Sequence, residues 1–142
     1  MRLFPKIMPG DYSPLLLAYV GDAVYDLFFR MRALQEERYQ VRVCHTNVVG
    51  FVNARKQCQL LRRISPHLTP EELEIIRRAR NKKIPTHPKG STMAEYRQAT
   101  ALECLIGHYF LLQDFDNLER IFGLIMAEAE LDAKEGDHEP EE

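Results

Sequence analysis

Residues 17–26, Leu-Ala-Tyr-Val-Gly-Asp-Ala-Val-Tyr-Asp, decide the fold class of this chain. Apolar residues recur around this stretch near the 3.6-residue period of an α-helix, at positions 16, 19, 20, 24, 27, 28 and 31. Ser13 can cap the first turn, and Pro14 stands at the first helical position, where the missing N–H of proline is harmless. The pattern predicts a helix over about residues 13–34.

Asp22 is the residue that this helical pattern does not explain. Apart from Asp26, the residues one and two turns away on its face are apolar: Leu15, Ala18, Tyr25 and Phe29. Burying an unpaired carboxylate costs on the order of several kcal/mol, so we expect Asp22 to be protonated, hydrogen-bonded or bound to a cation. From this helix alone, a polar residue at a helix–helix seam and a metal ligand are equally good interpretations.

Length and composition indicate one folded domain. The 142 residues are 45% apolar and 28% charged, as in ordinary globular proteins. No apolar run approaches the roughly 20 residues of a membrane span, the N-terminus has no apolar signal region, and the three cysteines form no CxxC pair. We therefore expect a cytoplasmic protein with no membrane partner, a domain over residues 1–134 and an acidic, disordered tail over residues 135–142.

The charge is strongly segregated along the chain. Residues 38–94 contain twelve Lys and Arg against three acids, whereas residues 128–142 contain eight acids. A protein of nearly neutral net charge with one basic region can hold a polyanion locally.

The remaining pattern is also helical. A second helical stretch covers about residues 43–63, with a break expected at Gly50 or Asn53, and capping boxes predict further helix starts at Thr69, Thr92 and Asp116. No β-alternation, internal repeat or glycine-rich phosphate loop is found. The sequence predicts an all-α bundle of about six to seven helices.

Glu103 repeats the anomaly of Asp22, since it lies among apolar residues in the predicted helix over about residues 93–113. Each acid stands near a glycine, Gly21 or Gly107, that permits close helix approach. Two carboxylates brought together repel unless a proton or a cation lies between them, and hard oxygen ligands suit Mg²⁺ or Mn²⁺. A pair of buried, hydrogen-bonded acids is the alternative.

The basic segment, residues 77–94, contains no acid and six cations: Arg77, Arg78, Arg80, Lys82, Lys83 and Lys89. A solvated helix end would explain the arginines, which favour a helix C-terminus, but not the lysines beyond it. Two prolines and a glycine exclude regular structure over about residues 84–90. A stiffened basic loop of this kind favours contacts to phosphates.

Several of these motifs resemble one family. Residues 17–23, LAYVGDA, resemble the signature helix of the ribonuclease III catalytic domain, and more closely that of the Mini-ribonuclease III family. Residues 101–107, ALECLIG, resemble its second acidic motif, and residues 78–82, 86–89 and 96–97 also fit the Mini-ribonuclease III pattern. The resemblance spans about residues 13–130, with no added double-stranded-RNA-binding domain.

The resemblance implies an all-helical endoribonuclease domain that works as a homodimer and hydrolyses double-stranded RNA with Mg²⁺, for which Mn²⁺ can substitute. The substrate implied is the bacterial 23S rRNA precursor, cut at both ends, with a ribosomal protein as a conceivable further partner. Asp22 is then the catalytic acid and a metal ligand, and Glu103 the second catalytic and metal-binding residue. The expected RNA contacts are Arg78, Arg80, Lys82, Lys83, Lys89 and Arg97, with Arg55 and Lys56 as weaker candidates.

Two alternatives remain open. Full-length ribonuclease III has further acids where this chain has Leu15, Ala18 and Thr100; the smaller family shares these changes, and they leave the number of metal ions undecided. They also motivate a catalytically inactive double-stranded-RNA-binding module of the same fold. A helical protein-interaction dimer, with Asp22 and Glu103 hydrogen-bonded at a seam, is the third hypothesis.

Overall fold

The structure is a computed structural model that describes residues 3–36 and 50–136. In these ranges every regular element is helical, and the α-helices are α1 (Pro14–Gln35), α2 (Ala54–Ile64), α3 (Pro70–Arg80), α4 (Met93–Leu111) and α5 (Phe115–Gly136). Residues 50–52 are also α-helical, and single 3₁₀ turns occur at Pro9–Asp11 and Ser65–His67. The all-α prediction is confirmed.

Most helix starts follow the predicted caps. The Ser13 side chain accepts a hydrogen bond from the backbone N–H of Leu16, and both capping boxes, at Thr69 and Thr92, make their two reciprocal bonds. The break in the second helical stretch lies at Asn53, whose side chain accepts from the Lys56 N–H at 2.9 Å. The predicted first half of that stretch, residues 43–49, lies outside the described residues.

The last helix begins differently from the prediction. Asp114, not Asp116, is its cap, since the Asp114 carboxylate accepts from the backbone N–H of Asn117 at 3.2 Å. Gln113 adopts a positive φ of 57°, which turns the chain between α4 and α5 and frees Asp114 for this role. The helix then continues to Gly136, and residues 137–142 of the expected acidic tail lie outside the described ranges.

Helix α4 is the centre of the bundle and packs against each of the other four helices. All residues from Ala99 to Gly107 are buried, so α4 is enclosed on every side over this part of its length. A helix that is apolar all round is typical of such a central position. Glu103 and Thr100 are its buried polar exceptions.

Helices α1 and α4 cross at unusually close range. A Cβ atom added at Gly21 would lie 1.7 Å from the Glu103 carbonyl oxygen, and one at Gly107 would lie 2.0 Å from the carbonyl oxygen of Leu17. Because these neighbours are backbone atoms, no side chain fits at either position without moving the helices apart. The two glycines therefore hold the Asp22 and Glu103 segments against each other, as their positions in the sequence predicted.

Ion pairs also join two of the outer helices to each other. Asp132 of α5 bonds two cations of α2, Lys56 at 2.7 Å and Arg63.

In the part of the chain that the structure describes, no helix combines the length and apolar character needed to cross a bilayer.

Candidate active site

A cleft of about 720 Å³ opens beside the α1–α4 crossing. Four segments line it, residues 15–22, 52–57, 84–91 and 96–103, and we call it the acidic cleft because Asp22 and Glu103 both face it. The structure thus brings together two carboxyl groups that are 81 positions apart in the sequence. It also brings the basic segment to them, since residues 84–91 form one wall.

The two carboxyl groups differ in burial. Glu103 is only 9% exposed, whereas Asp22 is exposed at the mouth of the cleft. The expectation that Asp22 is a buried carboxylate is therefore wrong. The buried stripe of α1 runs through Ala18, Gly21 and Tyr25, and Asp22 lies beside this stripe rather than on it.

Glu103 carries the electrostatic consequence of this arrangement. Burial, a hydrogen bond with Asp22 and the negative charge of Asp22 raise the pKa of Glu103 to about 9. Two carboxyl groups in contact favour one retained proton or one bound cation between them. The pKa of Tyr25, which is fully buried, is raised by burial and then by Glu103, so this hydroxyl stays protonated.

The donor set fits a hard divalent cation. Two carboxyl groups in an open cleft leave room for water ligands, and Mg²⁺ typically keeps several waters with one or two protein carboxylates. The described residues contain no cluster of three or more His, Cys, Asp or Glu side chains able to hold a metal. Softer metals that require several nitrogen or sulfur ligands are not matched by Asp22 and Glu103.

The predicted RNA-contacting cations lie partly inside the acidic cleft and partly outside it. Lys89 lines the acidic cleft, and so does Arg55, which was a weaker candidate. The other exposed candidates lie outside the cleft, at the end of α3 and in the loop after it: Arg78, Arg80, Lys82 and Lys83.

Arg97 and Lys56 are more constrained than the sequence suggested. Arg97 is half-buried, and its Nε has no hydrogen-bond acceptor among the described residues. Lys56 is paired with Asp132 of α5. Arg80 lines a separate hollow of about 420 Å³ together with Arg62 and Arg77, so part of the basic surface lies away from the cleft.

Gln57 is a cleft residue that the sequence analysis missed. It is 3% exposed, it is among the residues that line the acidic cleft, and its buried Nε2 has no acceptor in the described ranges. The available signal was its register in α2, where Gln57 and Cys58 precede the buried residues Leu60 and Leu61. A polar side chain at a core position, like a buried acid, indicates a specific hydrogen-bonding partner or ligand.

Asp26 lies outside the acidic cleft. Its carboxylate accepts from Arg30 Nε at 2.7 Å, and it lines a different, largely apolar hollow of about 800 Å³ with Tyr19 and Leu27. Asp26 is therefore a polar edge of α1 rather than a companion of Glu103.

The outer side of α1 exposes an apolar face. Tyr19 is 80% exposed, and Leu16, Leu27, Met31 and Leu34 are each more than half exposed. Phe4, which is 70% exposed, continues this apolar face at the hollow. Contiguous apolar surface of this kind is typical of a protein–protein interface.

Comparison with known proteins identifies a matching family. The family model of the ribonuclease III domain matches residues 15–114. The Mini-ribonuclease 3 of Thermoanaerobacter sp. (strain X514) is 40% identical over 112 residues, 79% of each chain, and that of Clostridium tetani is 36% identical over 124 residues, 87% of this chain and 82% of the relative. A crystal structure of a Fusobacterium nucleatum protein superposes with a TM-score of 0.75 at 35% identity, covering 84% of this chain and 95% of that one.

Proposed function

Since this chain belongs to the ribonuclease III family and is an endoribonuclease, we propose that it hydrolyses double-stranded RNA at Asp22 and Glu103 with Mg²⁺. The observation that carries the proposal is the acidic cleft, where an exposed and a buried carboxyl group meet beside Lys89 and Arg55. The two carboxyl groups can bind a cation, and the two basic side chains can contact a phosphodiester at the same site.

Asp22 and Glu103 would hold the metal ion, with Mn²⁺ as a substitute for Mg²⁺. When bound, the ion lowers the pKa of a water molecule and stabilises the charge that develops on the phosphodiester. Asp22 would offer its exposed carboxylate to the ion, and Glu103, whose pKa is raised by burial, would offer its carboxylate once deprotonated. No side-chain nucleophile is needed for this hydrolysis.

Duplex RNA would be held by its phosphates. Lys89 and Arg55 act in the cleft, and the exposed cations after α3 extend the contact outward: Arg78, Arg80, Lys82 and Lys83. Double-stranded RNA is recognised mainly through its shape, phosphates and 2′-hydroxyls. We expect affinity with little sequence dependence.

The homodimer is proposed from the apolar face of α1, defined by Leu16, Tyr19, Leu27, Met31 and Leu34. A second copy would cover these side chains and remove them from water. Each of the two clefts would then act on one strand of the duplex.

The physiological substrate we propose is the 23S rRNA precursor of bacteria, matured at both ends in the cytoplasm. The resemblance of residues 17–23 and 101–107 to the Mini-ribonuclease III signature implies this substrate, and the similarity to Mini-ribonuclease 3 proteins supports it. A ribosomal protein that shapes the precursor is compatible with this substrate. Cleavage of a duplex measured with and without such a protein would show whether the protein is required.

A catalytically inactive RNA-binding module is the second candidate. It is favoured by the small number of acids in the cleft, since Ala18 and Thr100 stand where larger enzymes have carboxylates. Binding of duplex RNA without cleavage at any Mg²⁺ or Mn²⁺ concentration would support it.

The decisive experiment incubates the purified protein with an end-labelled RNA duplex in Mg²⁺ or in EDTA. We expect cleavage only with Mg²⁺, and Asp22→Asn should lower it at least about 100-fold because a metal ligand and its charge are lost. Asp26→Asn is the matched control, one turn away and outside the cleft. Circular dichroism should show unchanged folding, and undiminished cleavage by Asp22→Asn would refute the proposal.

A further inference from the structure

Gln57 is a buried donor without an acceptor at the acidic cleft. Its Nε2 is one of three buried side-chain atoms in the described ranges that lack a partner, together with Nε of Arg32 and of Arg97. Of these three side chains, only Gln57 lines the acidic cleft. Since buried amides are nearly always hydrogen-bonded, the missing acceptor is to be sought in what enters the cleft.

The chemistry of the cleft limits what that acceptor can be. An amide N–H cannot ligate a cation, so it does not compete with Asp22 and Glu103 for a metal ion. Arg55 and Lys89 line the same cleft and attract an anion. An anionic oxygen supplies the missing acceptor and is attracted by both cations, although Arg55 also lies 4.0 Å from the Glu95 carboxylate. A phosphodiester supplies such oxygens.

We propose that Gln57 Nε2 donates a hydrogen bond to a non-bridging oxygen of the scissile phosphodiester, an inference that rests on the proposed function. Gln57 is then a third functional group of the site beside Asp22 and Glu103. It contributes a fixed, neutral donor where negative charge grows during hydrolysis. Because Gln57 is 3% exposed on α2, and α2 packs on α4, its position beside the cleft is set before RNA arrives.

Gln57→Met tests the proposal, because methionine fills a similar volume without a donor. Removing one such preorganised donor typically costs on the order of 10² in rate, so we expect kcat to fall about 10- to 100-fold. The thermal midpoint should stay equal or rise, since an unpaired buried polar group is replaced by an apolar one of similar shape. A purely structural glutamine predicts the opposite, a lower midpoint.

Gln59→Met is the matched control. Gln59 lies on the same helix and is partly buried, but it does not line the cleft. We expect its cleavage rate and RNA affinity to equal those of the unsubstituted protein. If Gln59→Met and Gln57→Met lose activity equally, a general effect on α2 replaces the proposal.

Affinity for duplex RNA in EDTA provides a readout without metal or cleavage. Gln57→Met should bind several-fold more weakly, and Gln57→Glu at least as weakly, because its carboxylate repels the phosphate. Equal affinity and rate for Gln57→Met, or undiminished binding by Gln57→Glu, would overturn the proposal. If the unsubstituted protein binds RNA but cleaves none, the proposed function fails, and this binding comparison still decides the role of Gln57.

Discussion

Burial and the negative charge of Asp22 both raise the pKa of the Glu103 carboxyl group. It lies in the enclosed part of α4 and shares a hydrogen bond with Asp22 at the mouth of the cleft. In the absence of a cation, this contact favours the neutral acid. The same contact makes the position a strong ligand once a cation compensates the charge.

Glu103→Gln should separate the ligand role from a role in folding. The amide keeps the shape but not the charge, so we expect cleavage to fall at least about 100-fold, with partial recovery at raised Mg²⁺ or Mn²⁺. In EDTA the variant should be about as stable as the unsubstituted protein, because a neutral amide replaces a carboxyl group that keeps its proton there, and the amide can still donate to Asp22. Thermal unfolding and cleavage across a metal titration measure both effects, and loss of stability would contradict the assignment.

Glu72 is a second buried carboxylate, and its surroundings differ completely. It is 0% exposed, and it accepts hydrogen bonds from the Thr69 backbone N–H, the Tyr109 hydroxyl and Arg120. Burial acts to raise the pKa of Glu72, but these bonds and the charge of Arg120 outweigh burial and lower it below its usual value. Glu72 is thus a structural anion that joins α3, α4 and α5.

Glu72→Gln should lower the free energy of unfolding at pH 7 by about 2 kcal/mol, through loss of charge-assisted hydrogen bonds. Because the folded-state pKa is depressed, this contribution is present above the unfolded pKa, about 4.3, and is lost as the pH falls through the folded value. The difference between variant and unsubstituted protein should therefore shrink on acidification. Urea unfolding at pH 7 and at low pH measures this difference in the free energy of unfolding.

Glu74→Gln is the control for this prediction. Glu74 pairs with Arg77 on the exposed side of the same helix, and exposed pairs contribute little. We expect no measurable change in the free energy of unfolding for Glu74→Gln. A pH-independent difference for Glu72→Gln would show that its ionisation is not what stabilises the bundle.

At the scale of elements, the loop between α3 and α4 carries the basic segment to the cleft. Pro85 and Pro88 stiffen it, Gly90 turns it with a φ of 92°, and Lys89 reaches the cleft wall. Lys82 and Lys83 stand exposed before this turn.

Replacing Lys82, Lys83 and Lys89 together by Gln should weaken duplex binding equally for unrelated sequences. Each phosphate contact contributes roughly 0.9 to the slope of log affinity against log salt concentration, so the slope should flatten by about 2 to 3. Fluorescence anisotropy at several salt concentrations measures it. Lys6→Gln, an exposed cation outside the cleft, is the control. An unchanged slope would mean that other residues hold the phosphates.

The starts of the helices show which local features the sequence predicts correctly. The helix starts at Ser13, Thr69 and Thr92 were predictable because capping depends on a few neighbouring residues. The start of α5 was misplaced, because the left-handed Gln113 that frees Asp114 leaves no local sequence signal. Likewise, helical periodicity placed Asp22 among apolar neighbours, but the crossing of α1 with α4 decided that it faces the cleft.

At the scale of the whole molecule, the apolar face of α1 predicts the oligomeric state. Leu27 and Met31 are each 56% exposed and lie on this face. We expect the protein to sediment at twice the 16.6 kDa mass of one chain. Leu27→Glu combined with Met31→Glu should give monomers, because two charges would be buried without partners.

Leu73→Glu is the control for the dimer, since Leu73 is an exposed leucine on α3, outside that face. It should leave the sedimentation unchanged. A monomeric unsubstituted protein, or a dimer that tolerates both substitutions on α1, would contradict the proposed arrangement.

The sequence by itself determined the helical periods, most of the caps, the two glycines of the crossing and the separation of acidic and basic regions. These are local properties, set by side chains a few positions apart. Only the tertiary structure decided that Glu103 is buried while Asp22 is exposed, that Asp26 lies outside the acidic cleft, and that Gln57 lines it. Burial depends on which helix covers which face, and that is settled by packing between residues far apart in the chain.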